Sequence, residues 1–147
     1  MIHLDFSEIT LRLKQGQEKT NVYDIIRKKW LVLTPEEHVR QYLLHHLISK
    51  RKYPQALIAV ERKIQAGERF KRFDIVVFSR EHQPWMLVEC KEPDVNISEN
   101  TLFQLLNYQR VVQAQYWVLS NGHQTLCADA RDISNIKWME ELPVYGL

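Results

Sequence analysis

The stretch from Ala56 to Lys91 constrains the fold more than any other part of the chain. It holds three consecutive β-patterned runs, Ala56 to Ile64, Arg69 to Phe78 and Trp85 to Lys91, parted only by turns at Ala66-Gly67-Glu68 and Ser79 to Pro84. Connections this short cannot carry a parallel crossover, so an antiparallel meander is predicted. A helix is predicted on either side. Thr34 suits an N-cap, Pro35 suits the first helical position, and Glu37 completes a capping box. Val39, Tyr42, Leu43 and Leu47 continue as an apolar stripe to about Ser49, and Tyr53-Pro54 closes the element. Pro93 breaks the third strand, and Ser98 caps a second helix running to about Gln113. Tyr116 to Ser120 is a compact β run ending at Asn121-Gly122, with Gln124 to Ala128 as its hairpin partner and Ile136 to Met139 as one more short strand. A helix between the third and fourth strands allows a right-handed parallel crossover. The expected class is therefore α/β: helix, three-stranded meander, helix, strand, in a mixed sheet flanked by helices. Upstream, Ile9 to Lys14 alternates and Gly16 marks a turn, so an extra N-terminal β-hairpin is predicted over about residues 9–24, with a short strand at Trp30 to Leu33.

Size and composition exclude several function classes. The 147 residues, 45% apolar and 26% charged, suit one globular domain spanning 1–147. No run of about 18 apolar residues exists, so no membrane span is expected. Met1-Ile2-His3-Leu4-Asp5 lacks the layout of a signal peptide, and a cytoplasmic location is expected. Cys90 and Cys127 form no C-x-x-C pair, which rules out a disulfide framework and a cysteine-rich zinc site. The four glycines, Gly16, Gly67, Gly122 and Gly146, build neither a P-loop nor a dinucleotide fingerprint. His38, His45 and His46 lack the i, i+4 spacing of a zinc-binding helix. Trp30, Trp85, Trp117 and Trp138 read as core or core-edge residues, and the two cysteines as packed thiols.

The net charge of +2 announces no partner, but its distribution is uneven. Eight basic residues lie between Lys50 and Arg72, opposed only by Glu61 and Glu68, and Arg27-Lys28-Lys29 forms a second cluster. Such clusters either follow a phosphate backbone or make an ordinary solvated surface.

The residues with chemical potential lie on the meander. Glu89 and Lys91 are two apart on a strand and look the same way, at the end of the apolar run Met86-Leu87-Val88. If the second and third strands pair, Asp74 stands beside Glu89. Two carboxylates held close repel each other, and a divalent cation relieves that repulsion. The Lys91 ammonium could then orient or help deprotonate an attacking water, which is the equipment of metal-assisted phosphodiester hydrolysis. The bland alternative is an exposed strand-end ion pair. On the following helix, Gln104 and Tyr108 are four apart and share a face, beside the stripe of Leu102, Leu105, Leu106 and Val112. That spacing equally suits a half-buried polar edge.

Asp74, Glu89-x-Lys91 and Gln104-x-x-x-Tyr108 together resemble the signature of the PD-(D/E)xK nuclease superfamily, and more closely that of the N-terminal nuclease domain of type I restriction enzyme R subunits. The resemblance runs from about Val22 to Ala130. Its landmarks are Leu33-Thr34-Pro35-Glu36-Glu37-His38-Val39-Arg40-Gln41, Tyr53-Pro54, Arg72-Phe73-Asp74-Ile75-Val76, Val88-Glu89-Cys90-Lys91, Gln104-Leu105-Leu106-Asn107-Tyr108 and Leu119-Ser120-Asn121-Gly122. It implies a restriction-endonuclease-like core and cleavage of DNA with Mg2+, for which Mn2+ can substitute. It also implies metal ligation by Asp74, Glu89 and the Cys90 carbonyl, a catalytic Lys91, and Gln104 and Tyr108 supporting the site or contacting DNA. A further glutamate often comes from the first helix of this superfamily. Glu37 already serves the capping box, whereas Glu36 shares the inward stripe with Val39 and Leu43, so spacing favours Glu36. Glu61 is a lesser candidate at the site edge. Phe73 stands where the superfamily name has proline. Complete R subunits couple the nuclease to an ATP-driven motor, which these residues do not contain. The implied partners are DNA and a separate motor or specificity protein, with a homodimer left open. The rival expectation is a catalytically silent nucleic-acid-binding or assembly module on the same fold.

Overall fold

Residues 1–147 are described by a computed structural model. The first helix, α1 (Pro35–His45), begins as its capping residues require: the Glu37 N–H donates to the Thr34 hydroxyl at 3.1 Å. It continues into one wider π-type turn, His46–Lys50, which ends where Lys52 takes a positive φ of 58°. Before it lie β1 (Leu13–Gln15), β2 (Thr20–Asp24) and β3 (Lys29–Val32), which form their own three-stranded antiparallel sheet. The predicted hairpin is therefore a meander whose third strand is the short run near Trp30, and its first strand is shorter than the alternation suggested. Gly16 closes the first turn because a Cβ there would meet the Lys19 carbonyl at 2.8 Å.

The main sheet has six strands in sequence order: β4 (Ile58–Ala66), β5 (Arg69–Phe78), β6 (Pro84–Cys90), β7 (Tyr116–Ser120), β8 (Thr125–Asp129) and β9 (Lys137–Trp138). The β6–β7 pair is parallel and every other pair is antiparallel, as the helix between those two strands demanded. This is the mixed sheet that the sequence predicted. Its central strands are buried on both faces. Met86, Val88, Cys90, Tyr116 and Val118 pack with Val39, Leu43 and Leu44 of α1, while Leu87, Trp117 and Leu119 pack with Leu102 and Leu106 on the other side. Both cysteines are buried on the α1 side, where burial pushes the thiol pKa of Cys127 up to about 12.

The second helix differs from its predicted form. It is not continuous to Gln113. It runs as α2 (Glu99–Leu105), tightens to a 3-10 turn at Leu106–Tyr108, and resumes as α3 (Gln109–Val112), ending at Gln113 with φ 59°. The break coincides with a tertiary anchor. Gln109 is buried, donates to the Ala130 carbonyl at 3.1 Å, and accepts from the Trp117 indole N–H. Burying that amide requires both hydrogen bonds, and this requirement outweighs a regular helical path. No helix is long and apolar enough to cross a membrane.

Candidate active site

The site begins where two strands part. β5 and β6 pair from Phe78↔Pro84, across a bulge, through Val77↔Met86 and Val76↔Leu87 to Ile75↔Val88, and past Ile75 the pairing stops. The next facing residues are Asp74 and Glu89. The alternation of β5 also breaks at this point, because Ile75 packs on the α1 side while Phe73 packs on the opposite side. On β4 the residue opposite Asp74 is Glu61. It is the one position missing from an otherwise continuous register, and its φ is 52°. A non-glycine residue with positive φ inside a strand is strained backbone. The disturbance crosses three strands at the level of the carboxylates.

Asp74 is buried, and one oxygen accepts from the Cys90 backbone N–H at 2.7 Å. It thereby fixes the peptide next to the carbonyl expected to be a ligand. Its other oxygen accepts from Arg40 at 2.9 Å. Glu89 pairs with Lys71 of β5 at 3.2 Å. Burial pushes the Glu89 carboxyl above its ordinary range; Lys71 opposes this, and the charge of Asp74 adds to it. Burial likewise raises Glu36, the Asp74 charge raises it further, and Arg40 and Lys91 oppose. Glu36, Asp74, Glu89 and Lys91 thus share one electrostatic neighbourhood. Of the two competing glutamates, Glu36 is the one beside Asp74, but it is not on the inward stripe: its side chain is half exposed, and Glu37 is the buried one, accepting from Arg27 at 3.0 Å and Gln41 at 3.0 Å.

Two residues central to this arrangement escaped the sequence reading. Arg40 is buried and reaches four carboxylates: Glu36 at 3.4 Å, Glu37 at 3.3 Å, Glu61 at 3.1 Å and Asp74 at 2.9 Å. A hint was available, since an arginine next to Val39 on the inward stripe of α1, four residues after Glu36, needs acidic partners. Lys71 could have been found from strand parity, because it shares a face with Phe73. Glu61, the lesser candidate, does reach the edge of the cluster through Arg40. Gln104 and Tyr108 are not joined to it by any hydrogen bond; Gln104 is exposed on α2, and Tyr108 packs against the cluster containing Phe73.

The donor set suits a hard divalent cation. Burial and the Asp74 charge disfavour the ionised forms of Glu36 and Glu89, and a divalent ion bound among them would offset that penalty. No three His, Cys, Asp or Glu side chains are already disposed as a metal cage. Arg40 and Lys71 presently supply the counter-charge. Lys71 is only partly buried, and its ammonium also lies over the Phe73 ring.

Comparison with known proteins bears on the family and the fold. Residues 35–143 match the family model described as type I restriction enzyme R protein N terminus. Among curated proteins, none matches the chain significantly. The fold is similar to the crystal structure of a "putative nuclease belonging to DUF820" from Anabaena variabilis, with a TM-score of 0.51 and 15% identity, over 89% of this chain and 84% of that one. With its core of helix, meander, helix and strand, and with Asp74, Glu89 and Lys91 where the strands part, the chain belongs to the family of type I restriction enzyme R protein N termini, within the PD-(D/E)xK nuclease superfamily.

Proposed function

We propose that this domain is a Mg2+-dependent DNA endonuclease of restriction type. The observation that carries the reading is the convergence of Glu36, Asp74, Glu89 and Lys91 at the parting of β5 and β6. Asp74, Glu89 and the Cys90 carbonyl would hold the metal, with Glu36 at its edge. Bound there, Mg2+ would offset the charge of the carboxylates and of the scissile phosphate and act as a Lewis acid. Lys91 orients the attacking water or the phosphate through its ammonium. Asp74 keeps the Cys90 peptide in place through the backbone hydrogen bond. Gln104 and Tyr108 contact DNA or a water, for which an amide and a phenol are suited.

A second reading is a silent binding module, and one observation favours it: Arg40 and Lys71 already neutralise Asp74 and Glu89. Calorimetric titration with Mg2+ and Mn2+, followed by incubation with plasmid DNA, separates the two. The endonuclease reading expects metal binding that Glu89→Ala removes, and cleavage that Lys91→Ala removes. Absence of metal binding by the wild-type chain overturns it in favour of the silent module.

A further inference from the structure

β4 and β5 are longer than the sheet they belong to. They pair with each other from Ile58↔Val77 out to Ala66↔Arg69, but β6 covers only Ile75 to Phe78 of β5. Beyond the carboxylates, Arg62–Ala66 and Arg69–Phe73 therefore continue as a two-stranded ribbon. At about 3.4 Å per residue it extends roughly 17 Å. Arg62, Lys63, Arg69, Lys71 and Arg72 lie on it with Glu68 as the one acid of the ribbon, while at its base Arg72 pairs with Glu61 at 3.8 Å and Lys71 with Glu89 at 3.2 Å. Register pairs share a face, so Lys63 stands beside Arg72 and Gln65 beside Phe70. That face is turned to solvent, and Phe70 is 66% exposed. The other face is rooted in the core through Phe73 and Ile64. An edge ribbon this basic avoids pairing with other strands. Its outward phenylalanine, however, lies near the tip and has no packing role.

We propose that this ribbon is a DNA-binding arm that enters the major groove of duplex DNA, with Phe70 against the base edges and the cations along the flanking phosphates. The proposal rests on the endonuclease reading and deepens it. Duplex is favoured over single strand on two grounds. A two-stranded β-ribbon fits the roughly 12 Å major groove, and stacking of successive single-stranded bases needs a series of aromatics, where this face offers one. Lys71 ties the arm to the site, because it belongs to the ribbon and pairs with Glu89 at 3.2 Å. A phosphate backbone that follows the arm inward arrives at Glu89 and Lys91.

The test measures binding of the full chain to a labelled duplex of about 25 base pairs and to the matching single strand, without metal, across a salt series. Lys63→Ser with Arg69→Ser is expected to weaken duplex binding about 10-fold and to lower the salt slope by about 2, one for each phosphate left without its cation. Phe70→Ser is expected to weaken it with the slope unchanged. Lys14→Ser with Lys19→Ser removes equal charge from exposed positions of β1 and the turn after it and is expected to change neither quantity. Melting temperatures confirm that each variant folds. Arm variants that bind like wild type overturn the arm; if wild type still cleaves with Mg2+, the endonuclease reading stands. Preference for the single strand, or displacement by the minor-groove ligand netropsin, also overturns the arm alone. A wild-type chain that neither binds nor cleaves duplex overturns both.

Discussion

Two groups of carboxylates meet α1, one at Gln41 and the other at Arg40, and they differ in how their charge is met. In the first, buried Asp24 accepts from the backbone N–H groups of Ile26 and Arg27 at 2.8 and 2.7 Å, from the Arg27 side chain at 2.8 Å and from Gln41 at 3.0 Å. Burial pushes its pKa up, but the hydrogen bonds from Arg27 and Gln41 outweigh burial and hold it below the ordinary range. In the second, Glu89 accepts only from Lys71 and Glu36 only from Arg40, and both carboxyls are raised. A filled network locks the turn after β2 onto α1. A network short of donors leaves carboxylates facing one another, and the proposed metal site rests on that arrangement. Arg40 belongs to both, since it touches Glu37 of the first group and Asp74 of the second.

The sharpest way to separate the groups is through chemistry. Lys91→Ala, Glu89→Ala and Asp74→Ala are each expected to lower single-turnover cleavage by about 10³-fold or more. Calorimetry should find metal binding kept in Lys91→Ala and lost in the two carboxylate variants. Asp24→Ala should leave metal binding intact but reduce stability by about 3 kcal/mol in urea unfolding, because it orphans two backbone N–H groups and removes one of the two carboxylates that Arg27 and Gln41 bond. Reversal of these two phenotypes would dissolve the comparison.

Smaller effects sharpen it. Asp24 is held below its unfolded-state value, so its stabilisation is present above that value and is lost as pH falls through the folded one. Glu36 and Glu89 are raised, so ionising them penalises the fold at neutral pH, and the penalty fades as pH falls through their folded-state values. Thermal melts at pH 7 should therefore show Glu89→Gln unchanged or raised by about 2–4 °C, and Asp24→Asn lowered. A fall of that size in Glu89→Gln would mean that the Lys71 pair outweighs burial. Smallest of all, Gln104→Ala and Tyr108→Phe are expected to slow cleavage about 3–10-fold each, with less than additive loss in the double variant and metal affinity unchanged. Wild-type rates in both single variants would reduce the pair to helix surface.

What the sequence determined by itself was local or periodic. Thr34-Pro35 with Glu37 starts α1, short turns force β4, β5 and β6 into a meander, and the interval before Tyr116 makes β7 parallel to β6. These features need only neighbours in the chain, so they can be read from neighbours in the chain. Only the tertiary structure decided that Arg40 reaches Asp74, 34 residues away, that Lys71 neutralises Glu89, that Gln109 breaks the second helix to bond Ala130, and that β4 and β5 outrun β6. Periodicity tells which face a side chain occupies but not which distant partner that face meets. That meeting depends on how α1 packs over the sheet and on where two strands cease to pair.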